Sequence, residues 1–198
     1  MAGTLWNVCV EQHSRRDRTF ARAMVNRRPV QQQHEWAVVR DFLQWLNPRR
    51  GTRFTVISEP NPPEAIIRSV RVTRWCEVGD VFWNDAYAQD LFSYATPDEV
   101  HKPIYPGPYS SMDARLAKRF IKVLRKKLEK RSYDKFRDEL GPGYLLLPIF
   151  HPWFNGRTIR CMQEEWAAAE AVHDRGCFRE VYITFQSSMG QRFRRWLL

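Results

Sequence analysis

The spacing of apolar positions changes several times along the chain, and each change marks an element. From Pro29 to about Leu46, the residues Trp36, Val39, Leu43 and Leu46 recur at helical intervals. This predicts a helix with a proline in its first turn that stops at Asn47-Pro48. Arg53 to Ser58, β-branched and aromatic, predicts a strand. Beyond the Pro60-Asn61-Pro62-Pro63 break, Glu64 to Arg68 and Thr73 to Phe82 predict two more strands. The link around Ser69 to Arg71 is short enough for an antiparallel hairpin, although it lacks an Asn-Gly type of turn. Asn84 is placed to cap a short helix to Tyr94, followed by a proline-rich loop from Pro97 to Pro108.

The second half of the chain alternates. Leu116, Phe120, Val123, Leu124 and Leu128 share one face of a second long helix, Ser111 to Arg131. Gly143 to Ile149 is an unbroken apolar run between prolines, the pattern of a strand covered on both sides. Alanine-rich Met162 to Val172 predicts a third helix, and Arg179 to Phe185 a last strand in which Val181, Ile183 and Phe185 alternate. The order is α-β-β-β-α-β-α-β, which predicts an α/β fold with a mixed sheet flanked by helices. One domain over 29–186 is expected, between a basic arm (1–28) and a basic, aromatic tail (187–198). The arm contains a strand-like piece, Leu5 to Val10, and an arginine-rich segment, Arg15 to Arg28, that suits either a helix or a mobile arm.

Charge sharpens the picture. The 198 residues include 32 Lys and Arg against 22 Asp and Glu, a formal net charge of +10. Such an excess repels itself in a compact chain and predicts a polyanionic partner, nucleic acid before an acidic membrane; of the nucleic acids, DNA is expected ahead of RNA. The content of hydrophobic residues, 43%, excludes a wholly disordered chain. No apolar run reaches the length of a membrane span. Cys9, Cys76, Cys161 and Cys177 are scattered, and the apolar stretch before Glu11 is too short for a secretory signal, so reduced thiols and a cytoplasmic location are expected. His151, Cys161, His173 and Cys177 match no usual zinc-finger spacing. Phosphate-binding, dinucleotide-binding and nucleophile-elbow glycine motifs are missing from the sequence, so those enzyme classes lack support.

Most of the cations of the second long helix fall on the arc opposite its apolar face. Arg115, Lys118, Arg119, Lys122, Arg125, Lys126, Lys127, Lys130 and Arg131, nine cations, stand against one acid, Glu129, and all but Lys127 and Arg131 are the expected nucleic-acid contacts. In the tail, Arg192, Arg194 and Arg195 stand with Phe193 and Trp196. This combination suits phosphate tracking and base stacking, and equally suits docking on the body, on a second copy or on a protein partner.

Two carboxylates carry the candidate chemistry. Glu64 opens the second strand, and Glu77 lies inside the third on the face of Trp75 and Gly79. If the strands pair, the two side chains stand about 5 Å apart. They then repel unless a divalent cation lies between them, and oxygen ligands with open water positions suit Mg²⁺ or Mn²⁺. Such an ion supports hydrolysis of a phosphodiester bond.

The element order, with Pro63-Glu64 followed by Glu77-Val78-Gly79, resembles the PD-(D/E)xK restriction-endonuclease-like superfamily over about residues 30–185. In that family an acid opens the second core strand and an E-x-K tripeptide lies on the third. The resemblance implies a metal-dependent nuclease with Glu64, here in place of Asp, and Glu77 as metal ligands. It adds the Val78 carbonyl as a further ligand and Glu35 on the first helix as an outer acid. Gly79 stands where the family has its lysine. Some members supply that cation from the following helix, and Lys118 or Lys122 is the expected substitute here. Two other readings stand beside this one. The first is a nucleic-acid-binding protein on the same fold without catalysis. The second is a structural or assembly protein with a basic partner-binding surface.

Overall fold

A computed structural model describes residues 27–60, 62–96, 99–104, 110–169, 175–187 and 190–196. The expected Leu5 to Val10 strand and the basic segment up to Asn26 lie outside these residues. In chain order the elements are α1 (Arg27–Arg50), β1 (Thr55–Ser58), β2 (Ala65–Arg68), β3 (Thr73–Val78), β4 (Val81–Phe82), α2 (Asp85–Ala95), α3 (Met112–Leu128), a 3₁₀ turn (Arg131–Tyr133), α4 (Asp134–Leu140), β5 (Gly143–Phe150), α5 (Gly156–Ala168), β6 (Phe178–Ser187) and β7 (Gly190–Trp196). The fold is mixed α/β, with a seven-stranded mixed sheet flanked by helices.

The strand order β1-β2-β3-β5-β6-β7 makes β5 central, and β4 also pairs with it. The pairs β1–β2, β2–β3 and β6–β7 are antiparallel, whereas β3, β4 and β6 all run parallel to β5. The unbroken apolar run of β5 has its physical reason here, since a parallel centre needs cover on both faces. On one face, Val38, Val39, Phe42, Leu43 and Leu46 of α1 pack on Ile67, Cys76, Val78 and Leu146. On the other, Leu116, Phe120 and Leu124 of α3 pack with Trp75, Leu145, Leu147 and Ile183.

Several elements differ from their predicted bounds. Helix α1 continues through Pro48 to Arg50. The Asn47 side chain clamps this last turn to the next segment, accepting from the Phe54 N–H and donating to the Phe54 carbonyl, both at 2.9 Å. Gly51, at φ +60°, supplies the left-handed residue that ends the helix. Helix α5 begins earlier than its alanines suggest, because Asn155 and Thr158 form a capping box. The 3₁₀ turn and α4 have no counterpart in the sequence reading.

The expected strand Thr73 to Phe82 is split at Gly79-Asp80. Both pieces keep one register against β5, Val78 opposite Leu146 and Val81 opposite Ile149. Counting on in that register sets Asp80 beside Pro148, which has no N–H to give to a ladder. The interruption releases the Asp80 side chain toward α1, where it meets His34 Nε2 at 3.0 Å.

The expected tail is a strand from Gly190 to Trp196. β7 pairs with β6, and its two aromatics go to opposite faces. Phe193 packs on Phe42 with ring centroids 5.6 Å apart, and Trp196 meets Phe120 edge-on at 4.7 Å. Docking on the body therefore accounts for these two rings, while Arg192, Arg194 and Arg195 remain exposed. Among the described residues no helix is long and apolar enough to cross a membrane.

Gly143 admits the Trp75 indole against the backbone of β5. A Cβ at Gly143 would lie 2.4 Å from Trp75 Cδ2 and Cε2. The indole is fully buried and its Nε1 donates to the Gly141 carbonyl at 2.9 Å, so it has no room to retreat. Gly143→Ala is expected to lower stability by about 1–3 kcal/mol through overpacking, measured by urea unfolding.

Candidate active site

The last pair of the β2–β3 ladder is Ala65 with Cys76. One further step in the same register sets Glu64 opposite Glu77, and directly opposed residues share a face. Both are almost completely buried, with 5% and 2% of their surface exposed. A third carboxylate comes from the opposite side of the sheet. Glu35 heads the buried stripe of α1 that continues through Val38, Val39, Phe42 and Leu43. It accepts from Gln31 Nε2 at 2.9 Å and shares a hydrogen bond with Glu64. The expected trio Glu35, Glu64 and Glu77 is thus assembled where β2 begins and β3 ends.

The cation facing this trio is Lys127. Its Nζ donates to Glu77 Oε1 at 2.6 Å and to the Val78 carbonyl at 2.7 Å. The Tyr133 hydroxyl donates to the same Glu77 oxygen at 2.6 Å, and Lys130 Nζ donates to that hydroxyl at 3.2 Å. Gly79 makes room for the lysine. A Cβ there would sit 3.1 Å from Lys127 Cε and 3.1 Å from Leu147 Cδ2. The stem of Lys127 therefore crosses the space that a side chain at position 79 would need.

This corrects the expectation for Lys118 and Lys122. About the axis of α3 they stand roughly 180° and 140° from Lys127. Both are exposed and line a groove facing α5. Lys127 was legible in principle: it lies seven, four and three residues after Phe120, Val123 and Leu124, and so continues the apolar stripe. A lysine in that stripe is carried toward the sheet. The other helix cations expected to form one docking face are also divided. Arg119 bonds Asp85 at the start of α2, Arg115 is exposed, and Arg125, Lys126 and Lys130 border the groove.

Burial raises the pKa of Glu64 to about 8, helped by the charges of Glu35 and Glu77 and by the hydrogen bond with Glu35, with Lys127 opposing. Glu35 is also raised, chiefly by burial. Burial and the Glu77 carboxylate push the Tyr133 phenol well above its ordinary value, so it stays a donor. Burial opposes charge on His34, but Asp80 and Glu35 together outweigh it and its pKa is raised.

Among the described residues no group of three or more His, Cys, Asp or Glu side chains is arranged to hold a metal ion. What the cluster offers is smaller. Oε2 of Glu64 and Oε2 of Glu77 are buried with no hydrogen-bond donor reaching them among the described residues, and the Val78 carbonyl shares Lys127 with Glu77. Two hard oxygen donors plus water fit a cation of the Mg²⁺ or Mn²⁺ type, which retains several waters. A scan against protein-family models finds no match, and searches of curated proteins and of solved structures find none either.

Two outcomes test this electrostatic account. The raised pKa of Glu64 favours the folded state most fully below its ordinary value of 4.5, and this contribution is lost as the pH rises toward about 8. In EDTA the melting temperature should therefore fall over that interval. Glu64→Gln should flatten the fall, and added Mg²⁺ should raise the melting temperature at pH 8 in the wild type but not in Glu64→Gln. Separately, Lys127→Met removes one partner of a buried ion pair and is expected to cost about 3–5 kcal/mol. Adding Glu77→Gln should recover most of that loss in a double-mutant cycle read by denaturant unfolding.

Proposed function

We propose that this protein is a metal-dependent nuclease with a restriction-endonuclease-like core, hydrolysing phosphodiester bonds at the Glu64–Glu77–Lys127 cluster. The observation that carries this reading is the lysine. A helix delivers an ammonium to the carboxylate and carbonyl of Glu77-Val78, over the glycine that stands in the lysine position of the E-x-K pattern.

Glu64 and Glu77 would hold Mg²⁺ or Mn²⁺ beside the Val78 carbonyl. When bound, such an ion supplies charge stabilisation at a phosphate oxygen and acidifies a water. The chain's own residues do the positioning. Lys127 commits two of its three N–H donors to Glu77 and Val78, which leaves one for the attacking water or a phosphate oxygen. Tyr133 and Lys127 together fix Oε1 of Glu77 and leave Oε2 free to turn toward an ion. Glu35 holds Glu64 by a hydrogen bond and stays one step from the reacting atoms. The net charge of +10 favours a polyanionic substrate.

A second reading, a nucleic-acid-binding protein without catalysis, is favoured by the near-complete burial of Glu77. One experiment decides between them. Single- and double-stranded DNA and RNA are incubated with the protein in Mg²⁺, Mn²⁺ or EDTA. A nuclease cleaves at least one substrate, stops in EDTA, and slows by about a hundredfold or more in Glu64→Gln and in Lys127→Met/Glu77→Gln. Cleavage unchanged in these variants places the chemistry elsewhere. No cleavage by the wild type, with binding retained, leaves the second reading.

A further inference from the structure

Away from the carboxylates, α3 and α5 border a groove of about 820 Å³. Lys118, Lys122, Arg125, Lys126 and Lys130 line it against Glu129 and Glu165, with Ile121 and Ala169 as its apolar part. None of the five cations takes part in an ion pair among the described residues, and they outnumber the two acids of the groove. Arg125 donates to the Ala169 carbonyl and so joins α3 to the end of α5. Its Nε is buried without a hydrogen-bond partner among the described residues, a charged donor at the groove wall.

We propose that this groove is a second nucleic-acid contact, gripping a run of sugar–phosphate backbone away from the Glu64–Glu77 cluster. Lys118, Lys122 and Lys126 recur every fourth residue, which sets a positive charge about every 6 Å along one line of the helix. An even row of single charges suits a backbone with one anionic group per repeat better than an acidic peptide, whose carboxylates are spaced unevenly. Ile121 and Ala169 give sugars an apolar surface between the charges. Lys118, Lys122 and Lys126 stand about 180°, 140° and 100° around α3 from Lys127, which turns the row away from the cluster. A strand held here is anchored by residues that do not touch the bond to be cut. The inference shares with the nuclease reading only the identity of the partner.

The test measures binding of a fluorescein-labelled oligonucleotide by anisotropy, in EDTA, over a range of salt concentrations. The variants are Lys118→Gln/Lys122→Gln/Lys126→Gln and, as a control at the acidic cluster, Lys127→Met/Glu77→Gln. The three groove lysines are exposed, so the triple variant should keep the melting temperature of the wild type. Its affinity should drop at least tenfold, and the slope of log K against log salt should become shallower by about 2, three phosphates at roughly 0.7 each for a single strand. The control should lose no more than about one phosphate's share of the slope. Wild-type affinity and slope in the triple variant would overturn the proposal, as would competition by poly-glutamate equal to that by the oligonucleotide. Because no cleavage is needed for this readout, a groove that binds in a protein that never cuts would sink the nuclease reading and leave this one standing.

Discussion

Three glutamates meeting at the end of a sheet is an arrangement that burial makes costly, since each charge is removed from water and set against the others. Here the cost is contained by one ammonium group. Lys127 reaches Glu77 and Val78 only because α3 is pinned to the sheet by Leu116, Phe120 and Leu124. The apolar packing of that helix and the polar order of the site are therefore one structural fact. Glu64, further from the ammonium, balances itself by holding a proton up to about pH 8. That proton sets the cluster apart from a simple buried ion pair.

The two faces of α3 divide the labour. The stripe that faces the sheet contributes apolar side chains and then a single lysine at its C-terminal end, whereas the arc toward α5 contributes a row of cations without ion pairs among the described residues. Tyr133, placed by the 3₁₀ turn that follows α3, is held between Lys130 and Glu77. Its hydroxyl anchors the same carboxylate oxygen that Lys127 holds. The interruption between β3 and β4 serves the same end of the molecule, because it frees Asp80 to orient His34 next to Glu35.

How much of this the sequence disclosed depended on whether the controlling physics was local. The Glu64–Glu77 pairing followed from period-two alternation and a short link between strands, and β2–β3 register places the two acids opposite one another. The strand character of 143–149 followed from an apolar run with no polar interruption. Lys127 did not emerge, because among nine cations on one helix the selection is made by rotation about the axis, and a one-residue uncertainty in helix phase moves a side chain by about 100°. β7 was hidden for a different reason. Its arginines obscure the alternation, and its aromatics go to opposite faces, so no single-face pattern shows. The split at Gly79-Asp80 depends on Pro148, nearly seventy positions later in the chain, and nothing within the local window of β3 announces it.

The shared space over Gly79 ties two distant positions into one heritable unit. A lineage that acquires a bulky residue on the strand must displace the lysine from the helix, and one that loses the helix lysine opens a void beside an acid that no longer has its counter-charge. Either change alone is disfavoured, so descendants of this chain would alter positions 79 and 127 jointly or keep both.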